Sequence, residues 1–183
     1  YAQIVKTFVN DSSVKNRLVG VGHISKEDAA KLSMVGPFLR ASGVDYDVRN
    51  LRNGGYAYLD DFQPVTRTEG DCYARVLVRT QEVLQSIDII EEMISKIPAG
   101  DIDVKVTGAP ADGAEACNVL EQPRGECYYY AKGNGTKYLD RMRMRTPTSQ
   151  NLAGMAVALK GCDVADVNNI VLTIDPCISC TER

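Results

Sequence analysis

Residues 68–96 read TEGDCYARVLVRTQEVLQSIDIIEEMISK, and this stretch decides the fold. Thr68-Glu69-Gly70-Asp71 has the pattern of a capping box, with acidic residues favoured at the positive end of a helix. Side chains then recur at Tyr73, Val76, Leu77, Thr80, Val83, Leu84, Ile87, Ile90 and Ile94, the three-and-four spacing of one buried helical face. Lys96 and Pro98-Ala99-Gly100 end the run. The pattern predicts an amphipathic helix of roughly 27 residues, about 40 Å long at a rise of 1.5 Å. Such a helix is bundle material.

Downstream the period shortens. Residues 101–106 alternate and read as a short strand. Residues 126–131 and 138–145 flank Lys132-Gly133-Asn134-Gly135, a turn sequence suited to a hairpin. In Arg141-Met142-Arg143-Met144-Arg145 the alternation puts arginines on one face, read as the solvated basic face of an antiparallel strand. Ser149 caps a last helix over 150–160, stopped by Gly161, and an apolar run over 169–174 follows. Upstream, a loop over 19–25 leads to a helix that Ser25 and Asp28 start. That helix passes Ala29, Leu32 and Val35 and falters at Gly36-Pro37, where the amide hydrogen is missing. Residues 41–66, with Ser42-Gly43, Asn53-Gly54-Gly55 and Pro64, read as a long irregular excursion. The whole is expected to be an α+β fold, mainly helical: a long bundle helix plus a small antiparallel hairpin or sheet.

Composition narrows the function. With 44% hydrophobic and 25% charged residues, the 183-residue chain is not a disordered one. Its formal charge of −3 and pI near 5.2 argue against nucleic acid as a partner. No apolar run reaches the roughly 18 residues of a membrane span, and residues 1–10 do not form a signal peptide. The first residue is Tyr1 rather than Met, so the chain reads as part of a longer polypeptide.

Six cysteines stand at positions 72, 117, 127, 162, 177 and 180. Their irregular spacing does not suit a disulfide scaffold, and most read as buried, inert thiols. Cys177 and Cys180 differ, because C-x-x-C brings two sulfurs close enough to chelate a soft metal ion. Structural zinc needs two more ligands, and the lone His23 is distant in sequence. A thioredoxin-like dithiol needs a helix after the pair, and only Thr181, Glu182 and Arg183 follow. Half of a metal site, completed by another segment, is the reading that remains.

The last nine residues, Asp175-Pro176-Cys177-Ile178-Ser179-Cys180-Thr181-Glu182-Arg183, resemble the C-terminal D-P-C-x-x-C-x-x-H/R motif of nickel–iron (NiFe) hydrogenase large subunits. The Arg ending resembles the membrane-bound, energy-converting group, which includes the Ech, CO-induced and formate-hydrogenlyase types (group 4). Other segments agree in family order. Gly20 and the residues to Arg49, with Leu39-Arg40-Ala41-Ser42-Gly43-Val44, are similar to its G-V-G-x-I-S … R-A-S-G-V-x-x-D-V-R stretch. Glu69-Gly70-Asp71 with Ala74-Arg75 and Arg79 resembles its E-G-D-x-x-A-R-x-L-V-R helix start. Pro123-Arg124-Gly125-Glu126 resembles P-R-G-E, and Arg145-Thr146-Pro147-Thr148 resembles R-T-P-T. The quinone-site subunit of respiratory complex I shares this scaffold but has lost both thiols.

The resemblance implies the C-terminal part of a catalytic subunit that interconverts protons and H2. Its cofactor is a Ni–Fe centre with CO and cyanide on the iron, held by two thiolates from each half of the subunit. Cys177 is implied to be a terminal nickel ligand, and Cys180 to bridge nickel and iron. Soft, electron-rich thiolates suit such a site. Arg124 is implied to lie over the open metal positions as a fixed cation and donor, and Asp175 to orient it. Their plainer readings are a turn residue before a strand and an Asp-Pro turn. Arg183 departs from the His ending, and a guanidinium offers no lone pair to a further metal. The implied partners are an iron–sulfur small subunit carrying ferredoxin-type electrons, membrane-integral subunits and the N-terminal half of the same subunit. The implied place is the cytoplasmic face of a membrane. Alone, with the N-terminal C-x-x-C elsewhere, the chain is not expected to hold the intact cluster, and its tail should lack fixed order. The alternatives are a metal-free, complex I-like coupling subunit and a zinc module.

Overall fold

In the computed structural model, which describes residues 1–52 and 54–182, helices α1 (Ala2–Asn10), α2 (Ser12–Leu18), α3 (Lys26–Lys31), α4 (Gly36–Arg40) and α5 (Cys72–Lys96) come first. Strands β1 (Glu115–Gln122), β2 (Gly125–Gly133) and β3 (Leu139–Arg145) follow, then α6 (Pro147–Leu159), α7 (Val167–Ile174) and α8 (Ile178–Thr181). Asn53 of the glycine-rich turn and Arg183 of the C-terminal motif lie outside the described residues. The strands form one antiparallel sheet in the order β1-β2-β3. The architecture is the expected α+β one.

The long helix is present, but it starts later than the capping box implies. Gly70 has φ +68°, which ends any helical path from Thr68, and Asp71 becomes the cap. Asp71 Oδ1 accepts from the Ala74 amide at 2.8 Å, and Oδ2 accepts from the Gly20 amide at 2.7 Å. One carboxylate therefore both starts α5 and ties down the loop after α2. Asp71→Ala is expected to cost about 2 kcal/mol, because two amides lose their acceptor. Asp71→Asn should recover part of that loss, as read from denaturant midpoints.

None of the positions predicted to form the buried face of α5 is fully buried, and the residues that are buried lie at its start and on a different set of positions. Cys72, Ala74, Arg75 and Val78 are buried, whereas Val83, Ile87, Ile90 and Ile94 are exposed. The main core lies around that first stretch, where Ile24, Phe38, Leu39, Cys72, Ala158, Ile170 and Ile174 pack together. Arg75 is fully buried there. It donates to Gly22 O at 2.7 Å and Thr173 Oγ1 at 3.2 Å, and lies 4.9 Å from the Phe38 ring centroid. It stitches an N-terminal loop to α7.

Several local expectations need correction. Ser25 does cap α3 through Asp28 N, but that helix ends at Lys31, with Ser33 at φ +51°. Pro37 then sits in the first turn of a new helix, where a missing amide hydrogen costs nothing. Residues 101–106 are not a strand. Thr146, not Ser149, precedes α6, and Ser149 instead donates to Thr146 O at 2.8 Å. The hairpin is as expected, with Tyr128 opposite Arg145 and Tyr130 opposite Arg143. The sheet gains a third strand, β1, whose turn to β2 is Pro123-Arg124. Cys72 and Cys127 are buried, but Cys117 is exposed; all six cysteines are free thiols.

Candidate metal centre

Helix α7 ends where Asp175 turns left-handed at φ +61°, and Pro176 prevents its continuation. Cys177 follows as the cap of α8, a single turn that returns Cys180 beside it. That single turn is short of the helix a thioredoxin-like dithiol needs. Yet the tail is not without protein anchors. Cys177 N donates to Thr148 Oγ1 at 3.1 Å, Thr181 Oγ1 donates to Cys177 O at 2.9 Å, and Thr146 Oγ1 donates to Cys180 O. The two threonines of the R-T-P-T stretch thus clasp the cysteine turn, a role their sequence pattern does not announce.

The structure brings Arg124 and Asp175 together. Arg124 Nε donates to Asp175 O at 2.7 Å, and Nη2 donates to Asp175 Oδ1 at 3.2 Å. The Arg124 turn is itself pressed against α4. A Cβ on Gly36 would stand 2.3 Å from Arg124 O, and one on Gly125 would stand 2.7 Å from Gly36 N. The glycine of Pro123-Arg124-Gly125 is needed for that approach.

Arg79 is the functional residue that sequence reading missed. From α5 it donates to Ile174 O at 2.7 Å and Thr173 O at 3.3 Å, and reaches Asp175 Oδ2 and Pro123 O, both at 3.4 Å. One guanidinium therefore caps α7 and joins the Arg124 turn to the aspartate. Its signal was only the second Arg of the helix-start motif.

The two thiols are inequivalent. Hydrogen bonds from Ser179, and from the amide and thiol of Cys180, bring the Cys177 thiol down to about 7. The Ser179 oxygen stands 3.0 Å from its sulfur. Burial, and then the neighbouring Cys177, push the Cys180 thiol up. Near neutral pH the pair thus carries one sulfur poised as thiolate and one held as thiol. Among the described residues, no group of three or more His, Cys, Asp or Glu side chains could hold a metal ion. As a donor set the pair fits half of a four-thiolate nickel–iron site, and it does not fit a zinc site by itself.

The chain belongs to the family of the respiratory-chain NADH dehydrogenase 49 kDa subunit, whose profile matches residues 1–111 and 104–183. Within that family it is 37% identical to the carbon monoxide-induced hydrogenase of Rhodospirillum rubrum, over 99% of this chain and 50% of that protein. It is 35% identical to the membrane-bound hydrogenase alpha subunit of Pyrococcus furiosus, over 99% of this chain and 46% of that one. To one of the NADH-quinone oxidoreductase subunits of Sinorhizobium medicae it is 33% identical, over 91% and 48% respectively. The chain spans about half the length of the curated relatives it matches.

Proposed function

We propose that this chain is the C-terminal part of the catalytic large subunit of a membrane-associated NiFe hydrogenase, reducing protons to H2 or running the reverse. The observation that carries the reading is the cysteine pair itself. Cys177 and Cys180 share one turn directly after Asp175, and Asp175 is bound to Arg124. A coupling subunit without metal has no use for two such thiols. Cys177 and Cys180 would hold nickel and iron together with two thiolates from outside these residues. When bound, that centre supplies the redox-active position at which protons and electrons combine.

The protein's own part is positioning and charge. Arg124 spends Nε and Nη2 on Asp175, which fixes the plane of its guanidinium and leaves Nη1 for a reacting group. It acts as a permanent cation rather than a base. Arg79 holds the aspartate and the Arg124 turn in register. Arg124→Lys keeps the charge but loses the fork. It is expected to lower H2 turnover about a hundredfold with nickel content unchanged.

Electrons would come from an iron–sulfur small subunit, because this chain's cysteines are too few for a relay of its own. Membrane attachment would come from integral subunits at the cytoplasmic face. Among the described residues, no helix is long and apolar enough to cross a membrane. The test is elemental analysis of the purified complex alongside H2 evolution. One nickel per chain and H2 evolution support the reading. The second reading, a metal-free coupling subunit of a complex I-like assembly, is favoured by the family's description and by the NADH-quinone oxidoreductase relative. Nickel-free complex with quinone reduction would establish it instead.

A further inference from the structure

A cleft of about 700 Å³ runs beside the candidate centre, lined by Asp175 and Arg79 and also by Arg40, Arg49, Glu82 and Glu121. Val83, Ile87 and Ile90 of α5 give it an apolar wall. The last four of those charged residues, with Asp47, form a buried ion-pair cluster that the cysteine turn does not use. Arg40 is 1% exposed and reaches Glu82 at 2.7 Å, Glu121 at 2.9 Å and Asp47 at 3.0 Å. Arg49 pairs with Asp47 at 2.7 Å.

Within the cluster three carboxylates face two guanidiniums, so one carboxylate has no cation of its own and must share. Around it, Arg79 and Arg124 share Asp175 at the end of the cleft, and Glu126 is matched by Arg145 from β3. Tyr46 gives its hydroxyl to Glu126, and Tyr56 donates its own to Glu121 O at 3.1 Å. A buried carboxylate that only shares its cation is costly to keep ionised, and binding one proton removes that cost.

Geometry selects the carboxylate. Asp47 has both guanidiniums and the Arg49 amide at 3.0 Å. Glu82 has the Arg40 Nε to itself and is partly open to solvent. The Glu121 side chain is 5% exposed, shares Arg40 Nη1 with Asp47, and among the described residues has only the Val48 amide at 3.3 Å besides. We infer that Glu121 is a proton-binding site, loading a proton from water and releasing it through the cleft toward the Asp175 end of the cysteine site. Burial pushes its carboxyl up to about 7, with Asp47 adding to the rise and Arg40 opposing it.

In the loading step a Glu121 carboxylate oxygen forms an O–H bond with a proton from water at the cleft. The carboxylate becomes neutral, and no electron moves. Release breaks that bond and returns the proton to cleft water.

Loading follows from the burial of Glu121 and the cation it has to share; delivery to the cysteine site rests on the function proposed above. The experiment separates the two, using the assembled complex. Infrared difference spectra between about pH 5 and pH 9 should contain a protonated-carboxyl band titrating near 7. That band should vanish in Glu121→Gln and move its midpoint in Glu121→Asp. The same band undiminished in Glu121→Gln, or no such band in the parent, overturns the inference. Exchange between H2 and heavy water should slow at least about tenfold in Glu121→Gln with nickel content unchanged. Exchange at the parental rate in a nickel-loaded variant also overturns it. A parent complex that titrates but contains no nickel would refute the hydrogenase reading and the delivery route while leaving the loading site established.

Discussion

Cys177→Ser and Cys180→Ser are each expected to abolish H2 turnover in the assembled complex, to below about a thousandth of the parental rate. Serine removes only the sulfur. Its hydroxyl does not ionise near neutrality, and its hard oxygen is a poor donor to nickel. The two changes act on different states of the pair. Cys177, already brought down to about 7, is the sulfur that is ready to bind, whereas Cys180 is held as a thiol and must release its proton to water before it can bind metal. The fold is not at stake. Neither residue belongs to a core cluster, and the contacts that seat the turn run through the Cys177 amide, the Cys177 and Cys180 carbonyls and three threonines. Thermal unfolding of the metal-free variants should therefore stay within about 0.5 kcal/mol of the metal-free parent, while nickel is lost from the assembled complex. Activity retained in both variants would remove the assignment.

The features legible in the sequence were those in which one short pattern has one structural outcome. Ser25 with Asp28 starts a helix, and the sequence around Lys132-Gly133-Asn134-Gly135 returns a strand. The Asp175–Arg124 link was legible only through resemblance, since the residues lie 51 positions apart. Strand β1 escaped because its first four residues are exposed and carry no apolar alternation. Helix α1 escaped for a related reason: it has no buried residue and no side-chain cap. The start of α5 was misplaced because a hydroxyl and an acid three residues apart look alike whether or not the glycine between them is left-handed. The buried arginines were the deepest omission. Composition places Arg at the surface, and only the folded chain reveals that Arg40 and Arg75 are interior and fully engaged.

Arg40→Met is expected to be the most destabilising single change outside the apolar core, by about 3–5 kcal/mol near pH 8. Methionine roughly fills the space, so the loss is electrostatic rather than a cavity. Asp47, Glu82 and Glu121 keep their burial and lose the guanidinium they share, and Tyr46 O loses its donor at 3.1 Å. The pH dependence follows from Glu121, whose carboxyl rises from the ordinary 4.5 to about 7 in the folded chain. Between those values the native state holds a proton that the unfolded chain has released, so raising the pH through that window lowers stability. Over the full window this one group accounts for up to about 3 kcal/mol. Without Arg40 the remaining carboxylates take up protons more readily, so acid relieves the variant more than the parent. Denaturant unfolding should show the Arg40→Met deficit shrinking from pH 8 to pH 5, and adding Glu121→Gln should recover part of it at pH 8. A deficit of equal size at both values would mean that Arg40 serves packing alone.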